Sequence, residues 1–427
     1  MAKKLKGAAL RRSSGRPRAQ GAGGPERCRG AAIVAQSGGP TAVINSSLAG
    51  VVQESLKHDE ITRILGAKNG IMGVLSDELY DLGKEDPASI EGLRRTPAAA
   101  LGTCRYKLKE DDYQKILDLF ARHNVRYFFY AGGNDSQDTC HKVAMLAQRE
   151  DYDVRCIGIP KTVDNDLAKT DHCPGYGSVA RAIAIMTMDA GRDNEAIYTS
   201  DTVKVMETMG RNTGWIAAAA GFPHETEEDA PHLVYVPERP FVWDKFLGEV
   251  QNVLDRLGRC TIAVSEGLRE ADGQYITART SESSKFFADD FGHVQLGGVG
   301  DMVCKAIEHN LNVKARFNKP GTSQRASVVM QSKTDAKEAY LVGKMAVKNA
   351  LKGQHDKMVT LVRESNDPYK CVTGLVPCAE VALAEKRMPA EYINAEGNHI
   401  TEAFKDYLRP LLGDPLPHYV RLRKLPA

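Results

Sequence analysis

No C-x-x-C pair occurs in this sequence, and its nine cysteines lie scattered singly along 427 residues. An odd count without metal-ligand spacing excludes a disulfide framework and a cysteine-rich zinc site. Buried thiols in a reducing compartment are the reading left, so a cytoplasmic protein is expected. Also missing is any run approaching the ~18 consecutive apolar residues that cross a bilayer, so no membrane contact is expected. A dominant charge sign is lacking as well: 57 Lys and Arg stand against 55 Asp and Glu, a net of +2. That balance conceals a basic tail. Residues 1–30 hold nine Lys or Arg and the single acid Glu26, which leaves the remainder at −6. A mildly acidic body behind a short Gly/Ala/Ser-rich basic segment is unlike a nucleic-acid-binding domain, and no nucleic-acid partner is expected. The tail has no apolar h-region for secretion. A disordered extension is expected there, with a transit peptide or an RNA-contacting arm as the alternatives. Beyond the tail there is no low-complexity stretch and no short-period repeat.

What is present, from Ala31 onward, is a series of short apolar runs that stop at glycine or proline and give way to helical spacing. Residues 31–36 end in Ser37-Gly38-Gly39-Pro40 before a helical pattern over 41–56. Residues 125–131 stop at Gly132-Gly133, and 155–159 stop at Pro160. Residues 203–206 precede Met209-Gly210-Arg211 and a helical 214–220. Further strands are expected at 233–236 and 261–265, the second ending at Glu266-Gly267, with helices at 243–257 and 333–352. The stretch 259–331 is rich in turns, and its elements have no clear boundaries. Strands alternating with helices predict an α/β protein with mainly parallel sheets covered on both faces. The length implies two or three such units. Ligands of these sheets collect beyond the strands' carboxyl ends, where almost every unusual motif here falls.

Three of these ends carry chemistry. Ser37-Gly38-Gly39-Pro40 lets a backbone approach a phosphate at a helix N-terminus, although a strand-to-helix turn needs glycine for geometry alone. Gly132-Gly133-Asn134-Asp135-Ser136 suits a Mg²⁺–phosphate complex or, equally, an Asx turn capping the next helix. Pro160-Lys161-Thr162-Val163-Asp164-Asn165-Asp166 is the most specific. It gathers an ammonium, a hydroxyl and two carboxylates after an apolar run, as holding a phosphoryl group and deprotonating an alcohol would require.

These residues resemble the phosphofructokinase family. The blocks SGGPTAVINSS, GGNDSQDT, PKTVDNDL, PGYGSVARAI, ETMGRNTGW and VSEG follow one another in that family's order and spacing, from about Ala31 to about Leu383. The resemblance implies two Rossmann-like three-layer domains with the active site in the cleft between them. Residues 31–175 with about 324–390 would form a donor and Mg²⁺-binding domain, 176–323 a fructose 6-phosphate-binding domain, and 391–427 a C-terminal extension. It further implies that Asp164 is the catalytic base, that Thr162 and Asp166 flank the sugar phosphate, and that Gly38 and Arg105 touch the donor. Met209, Gly210 and Arg211 would grip fructose 6-phosphate, with Glu266 on a sugar hydroxyl. Arg316 and Arg325, nine residues apart, would hold the 6-phosphate. The first of this pair reaches in from a neighbouring subunit in the family, which implies a homodimer or homotetramer with shared sites.

Within the family, Asp135 and Lys161 stand where the bacterial ATP-using prototype has glycines. Some ATP-dependent relatives share the lysine, so Asp135 discriminates. Its carboxylate adds bulk and negative charge where ATP's α-phosphate would pass, while Lys161 supplies positive charge to a leaving phosphate. The pair resembles the pyrophosphate-dependent branch, whose reaction is the reversible transfer of a phosphoryl group from pyrophosphate to the 1-hydroxyl of fructose 6-phosphate. An aspartate at its ordinary pKa near ~4 is a weak base for that alcohol, so a late proton transfer is expected. Three residues depart from the family pattern. Asn134 stands in place of the Mg²⁺-coordinating aspartate, which leaves Asn134 and Asp135 as alternative metal ligands. Thr202 replaces a second inter-subunit arginine, and Thr322 a histidine or tyrosine. The alternatives are an ATP-dependent 6-phosphofructokinase and a non-catalytic regulatory subunit.

Overall fold

Strands and helices alternate as the apolar runs dictate in the computed structural model, which describes residues 28–277, 298–382 and 384–422. The expected basic tail lies outside the described residues as far as position 27, and so does 278–297 of the turn-rich stretch. The strands are β1 (Gly30–Gln36), β2 (Ile61–Ala67), β3 (Leu79–Asp81), β4 (Val125–Gly132), β5 (Arg155–Pro160), β6 (Val203–Thr208), β7 (Leu233–Tyr235), β8 (Cys260–Ser265), β9 (Ala315–Asn318), β10 (Lys357–Asn366) and β11 (Tyr369–Pro377). One sheet runs β11-β10-β5-β4-β1-β2-β3 and the other β7-β8-β6-β9. Among the described strands, only the two edge strands of the larger sheet, β3 and β11, pair antiparallel.

The aromatic run in β4 explains why the larger sheet is buried on both faces. Phe128 and Tyr130 point into one apolar layer, Tyr127 and Phe129 into the other. On the first side lie the helices Glu110–Arg122 and Asn134–Arg149, and on the second Ile44–Ser55 and Lys333–Leu351. β1 alternates the same way, with Ile33 on one face and Val34 on the other. Parallel strands with crossover helices bury both faces, so their sequences read as continuous apolar runs.

The smaller sheet is covered by Trp243–Leu257 and Val299–Leu311 on one side. On the other lie Tyr176–Ile197, Trp215–Ala220 and the C-terminal helix Glu402–Leu408. The expected extension over 391–427 is therefore an integral part of this core as far as Leu412. Phe404, Tyr407 and Leu408 are buried in it, and Trp215 meets Tyr392 edge-on at 6.0 Å between ring centres. Beyond Leu412 the chain crosses the surface, where Arg421 pairs with Glu195 and Asp229.

The two sheets are tied together beside the cleft by one buried carboxylate. Asp335 accepts hydrogen bonds from the backbone N–H of Gly175 and of Ser178, each at 2.9 Å, and from the Ser178 hydroxyl at 2.6 Å. It thereby caps the helix Tyr176–Ile197 from the helix Lys333–Leu351. Burial pushes its carboxyl up to about 6 despite these donors. Among the described residues no helix is long and apolar enough to cross a membrane.

Candidate active site

The carboxyl ends of β1, β4 and β5 in one sheet and of β6 and β8 in the other face a common cleft of about 440 Å³. Its wall includes Gly38, Arg105, Asn134, Asp135, Lys161, Thr162, Asp164, Asp166, Met209, Arg211, Glu266 and Arg325. Twelve residues anticipated from sequence, spread over almost three hundred positions, thus meet in one place. Gly210 stands just behind, its N–H donating to Glu266 Oε1 at 3.4 Å. Thr322 occupies the N-cap position of the short helix Ser323–Ala326 without a side-chain cap hydrogen bond, its carbonyl accepting from the Arg325 N–H at 3.3 Å, and it does not line the cleft. Arg316 does not line it either. Its Nε donates to Asp201 at 2.6 Å on the exposed side of β9.

The glycines after β1 are there because two cations lean on them. Gly38 has φ +72°, and a Cβ on it would stand 3.1 Å from Lys161 Nζ. A Cβ on Gly39 would come within 2.6 Å of Arg325 Nη1. Lys161 Nζ donates to the Gly39 carbonyl at 2.9 Å, and the residue is only 4% exposed. Loss of water, then the neighbouring Arg325, brings this ammonium down to about 8. Burial, then Arg105, lowers the Arg325 guanidinium as well. Three crowded cations around a glycine turn form a preorganised anion receptor, and an arriving polyanion would reverse these shifts.

Opposite the cations stand the acids. Burial, then Glu266, pushes Asp164 up to about 6, and burial, then Asp164, pushes Asp166 up to about 7. Burial also raises Glu266. Asp164 is consequently a stronger base than the ordinary aspartate expected from sequence, because burial and the Glu266 carboxylate outweigh the cations around it. Its backbone is pinned at both ends: its N–H donates to Thr162 Oγ1 at 3.1 Å, and its carbonyl accepts from Thr213 Oγ1 at 3.0 Å.

At the start of the helix Asn134–Arg149, the Asn134 amide nitrogen donates to the Ala384 carbonyl at 3.2 Å. Its Oδ1 is buried with no hydrogen-bond partner among the described residues. An unpaired amide oxygen beside the Asp135 carboxylate is a hard-oxygen donor set, which fits Mg²⁺. Sequence reading missed four wall residues. Asn212 and Thr213 follow directly on Arg211 and were legible in that motif. Ala382 and Glu385 come from the segment after β11, which carries no motif of its own.

A family model described as phosphofructokinase matches residues 31–349. The chain belongs to the phosphofructokinase family. It is 41% identical over 416 residues to a pyrophosphate--fructose 6-phosphate 1-phosphotransferase of Xanthomonas campestris pv. campestris, covering 92% of this chain and 98% of the relative. A protein of the same name from Halomonas elongata is 43% identical, with 91% and 93% covered. The crystal structure of pyrophosphate-dependent phosphofructokinase from Marinobacter aquaeolei superposes with a TM-score of 0.82 at 40% identity, covering 92% of this chain and 94% of that one. Within this phosphofructokinase frame, the two sheets facing one cleft correspond to the two-domain architecture anticipated from the motifs.

Proposed function

We propose that this chain catalyses the reversible transfer of a phosphoryl group from pyrophosphate to the 1-hydroxyl of fructose 6-phosphate, with Mg²⁺, yielding fructose 1,6-bisphosphate and phosphate. The observation that carries this reading is the turn from Lys161 to Asp166. It sets a buried ammonium against the Gly38-Gly39 turn and a raised-pKa carboxylate three residues away, in a cleft whose other wall holds Arg211 and Glu266. The names of relatives about 40% identical over nearly the whole chain support the donor and the acceptor.

Lys161, Arg105 and the Gly38 turn hold the pyrophosphate, and Asp135 narrows the path a nucleotide would take. Asn134 and Asp135 would hold Mg²⁺, which would supply charge neutralisation to the phosphoryl donor. Met209, Gly210, Arg211, Glu266 and Arg325 orient the sugar phosphate, with Thr322 supporting Arg325 from its helix cap. Thr162 fixes the Asp164 backbone and Asp166 lines the same wall. Asp164 takes the proton of the 1-hydroxyl as that oxygen bonds to phosphorus, and Lys161 stabilises the leaving phosphate. Phosphoryl transfer of this loose kind depends on positioning and charge more than on covalent chemistry.

Residues 31–175 with about 324–390 act as the pyrophosphate and Mg²⁺ unit, and 176–323 as the sugar-phosphate unit. Arg316, being outside this chain's own cleft, serves the 6-phosphate of a second copy in a homodimer or homotetramer. The cytoplasm is the proposed site of action. Phosphorus NMR tests the reaction: pyrophosphate, fructose 6-phosphate and Mg²⁺ should yield one phosphate for each new sugar 1-phosphate. Phosphate release without a sugar ester, or no reaction at all, would overturn it.

A further inference from the structure

The loop that carries Asp164 and Asp166 is held from behind by a segment with no motif and outside the region matched by the family model. Between the two acids, Asn165 adopts φ +55° and turns its side chain into the protein, where it is fully buried. A left-handed residue at this point reverses the chain, so that both neighbouring carboxylates face the cleft. Every polar atom of the Asn165 amide is used. Nδ2 donates to the Tyr407 hydroxyl at 3.0 Å, and Oδ1 accepts from the Cys173 N–H at 3.0 Å and from Lys386 Nζ at 3.3 Å.

Lys386 makes more contacts than this one. Its ammonium also donates to the carbonyls of Asp171 at 2.7 Å and Thr170 at 3.3 Å, and lies 5.3 Å from the centre of the Trp215 ring. Its backbone N–H donates to the Asp166 carbonyl at 2.7 Å. Two residues earlier, Ala384 accepts from Asn134, and Glu385 pairs with Leu167 in an isolated antiparallel bridge. This short strap therefore touches the donor-side loop and the base-side loop at once. No ion pair holds Lys386 among the described residues; its ammonium is spent on neutral oxygens and the Trp215 ring.

We infer that Lys386 is a positioning residue for the phosphoryl transfer proposed above: through Asn165 and the Asp166 carbonyl it fixes the turn that presents Asp164 and Asp166. Residues that lock a reacting group from behind typically contribute ~10–100-fold to activity. Lys386→Met retains the length of the stem and removes the charge and its hydrogen bonds. The inference predicts a fall in kcat of about 10–100-fold with both KM values within about threefold of wild type. Lys386→Arg, which retains a cationic donor for the Asn165 amide oxygen, should recover most of the lost kcat.

Wild type is assayed first with pyrophosphate and with ATP. If neither supports turnover, the functional reading fails independently of Lys386; if either does, that donor is used for the variants. A Lys386→Met enzyme with wild-type kcat would overturn the inference. Should Lys386→Met not fold, Tyr407→Phe reads the same turn by deleting one hydroxyl. It should lower kcat about 3–10-fold at unchanged KM, and a fully active Tyr407→Phe would then assign Lys386 to folding alone.

Discussion

The catalytic role proposed for Asp164 would come with a stability cost, and both can be measured. Its carboxyl is raised to about 6 by burial and then by Glu266. A carboxyl whose folded-state pKa lies above its unfolded value stabilises the fold below the unfolded pKa, and that contribution disappears as pH rises through 6. Asp164→Asn should therefore raise Tm at pH 7–8, with the gain vanishing below about pH 4, while kcat falls by about 10²–10⁴. Thermal melts at both pH values read the first effect and steady-state kinetics the second. Gly38 makes the complementary case. With φ +72° and Lys161 Nζ 3.1 Å from any added Cβ, Gly38→Ala should raise KM for the phosphoryl donor more than it disturbs Tm, as donor titrations would show. At this scale much of the site was legible, because the chemistry sits in contiguous strings such as PKTVDND. The raised basicity of Asp164 was not. It depends on Glu266, a hundred residues away in sequence, and on burial, which no local pattern records.

At the scale of elements, the apolar runs preceding glycine or proline located β1, β4, β5, β6 and β8 to within a few residues, because two-sided burial leaves an unbroken apolar signature. The helix at Trp243–Leu257 was equally clear. β10 and β11 were hidden, since only the first half of β10 is buried and β11 is an edge strand that alternates with polar residues. The C-terminal helix Glu402–Leu408 was hidden for another reason: seven residues give under two full turns of periodicity. Yet Phe404 within it is wholly buried against Trp215, Tyr392 and Tyr407. Phe404→Ala should destabilise the protein by about 3–5 kcal/mol, whereas ending the chain after Leu412 removes a largely exposed segment and should cost far less. Denaturant titration of the two variants should separate them clearly.

For the whole molecule, the cleft is assembled by two sheets, and on the proposed reading its sugar-phosphate end would be completed by Arg316 of a second copy. Arg316 is half exposed, and its pair with Asp201 is the kind of surface contact worth little on its own. Arg316→Ala should leave Tm nearly unchanged and raise KM for fructose 6-phosphate about tenfold or more. Mixing Arg316→Ala with Asp164→Asn should then restore part of the activity lost by each. A hybrid dimer with shared sites would contain one site with neither lesion, and restoration would appear only after subunits are exchanged.

The proposal depends most on the donor, and the donor rests on Asp135 and Lys161. The most direct measurement is kcat/KM with pyrophosphate and with ATP, for wild type and for the Asp135→Gly, Lys161→Gly double variant. Wild type should use pyrophosphate at least about a hundredfold better, and the double variant should lose most of that activity while its ATP value stays level or rises. Efficient ATP use by wild type, or unchanged pyrophosphate kinetics in the variant, would contradict the account.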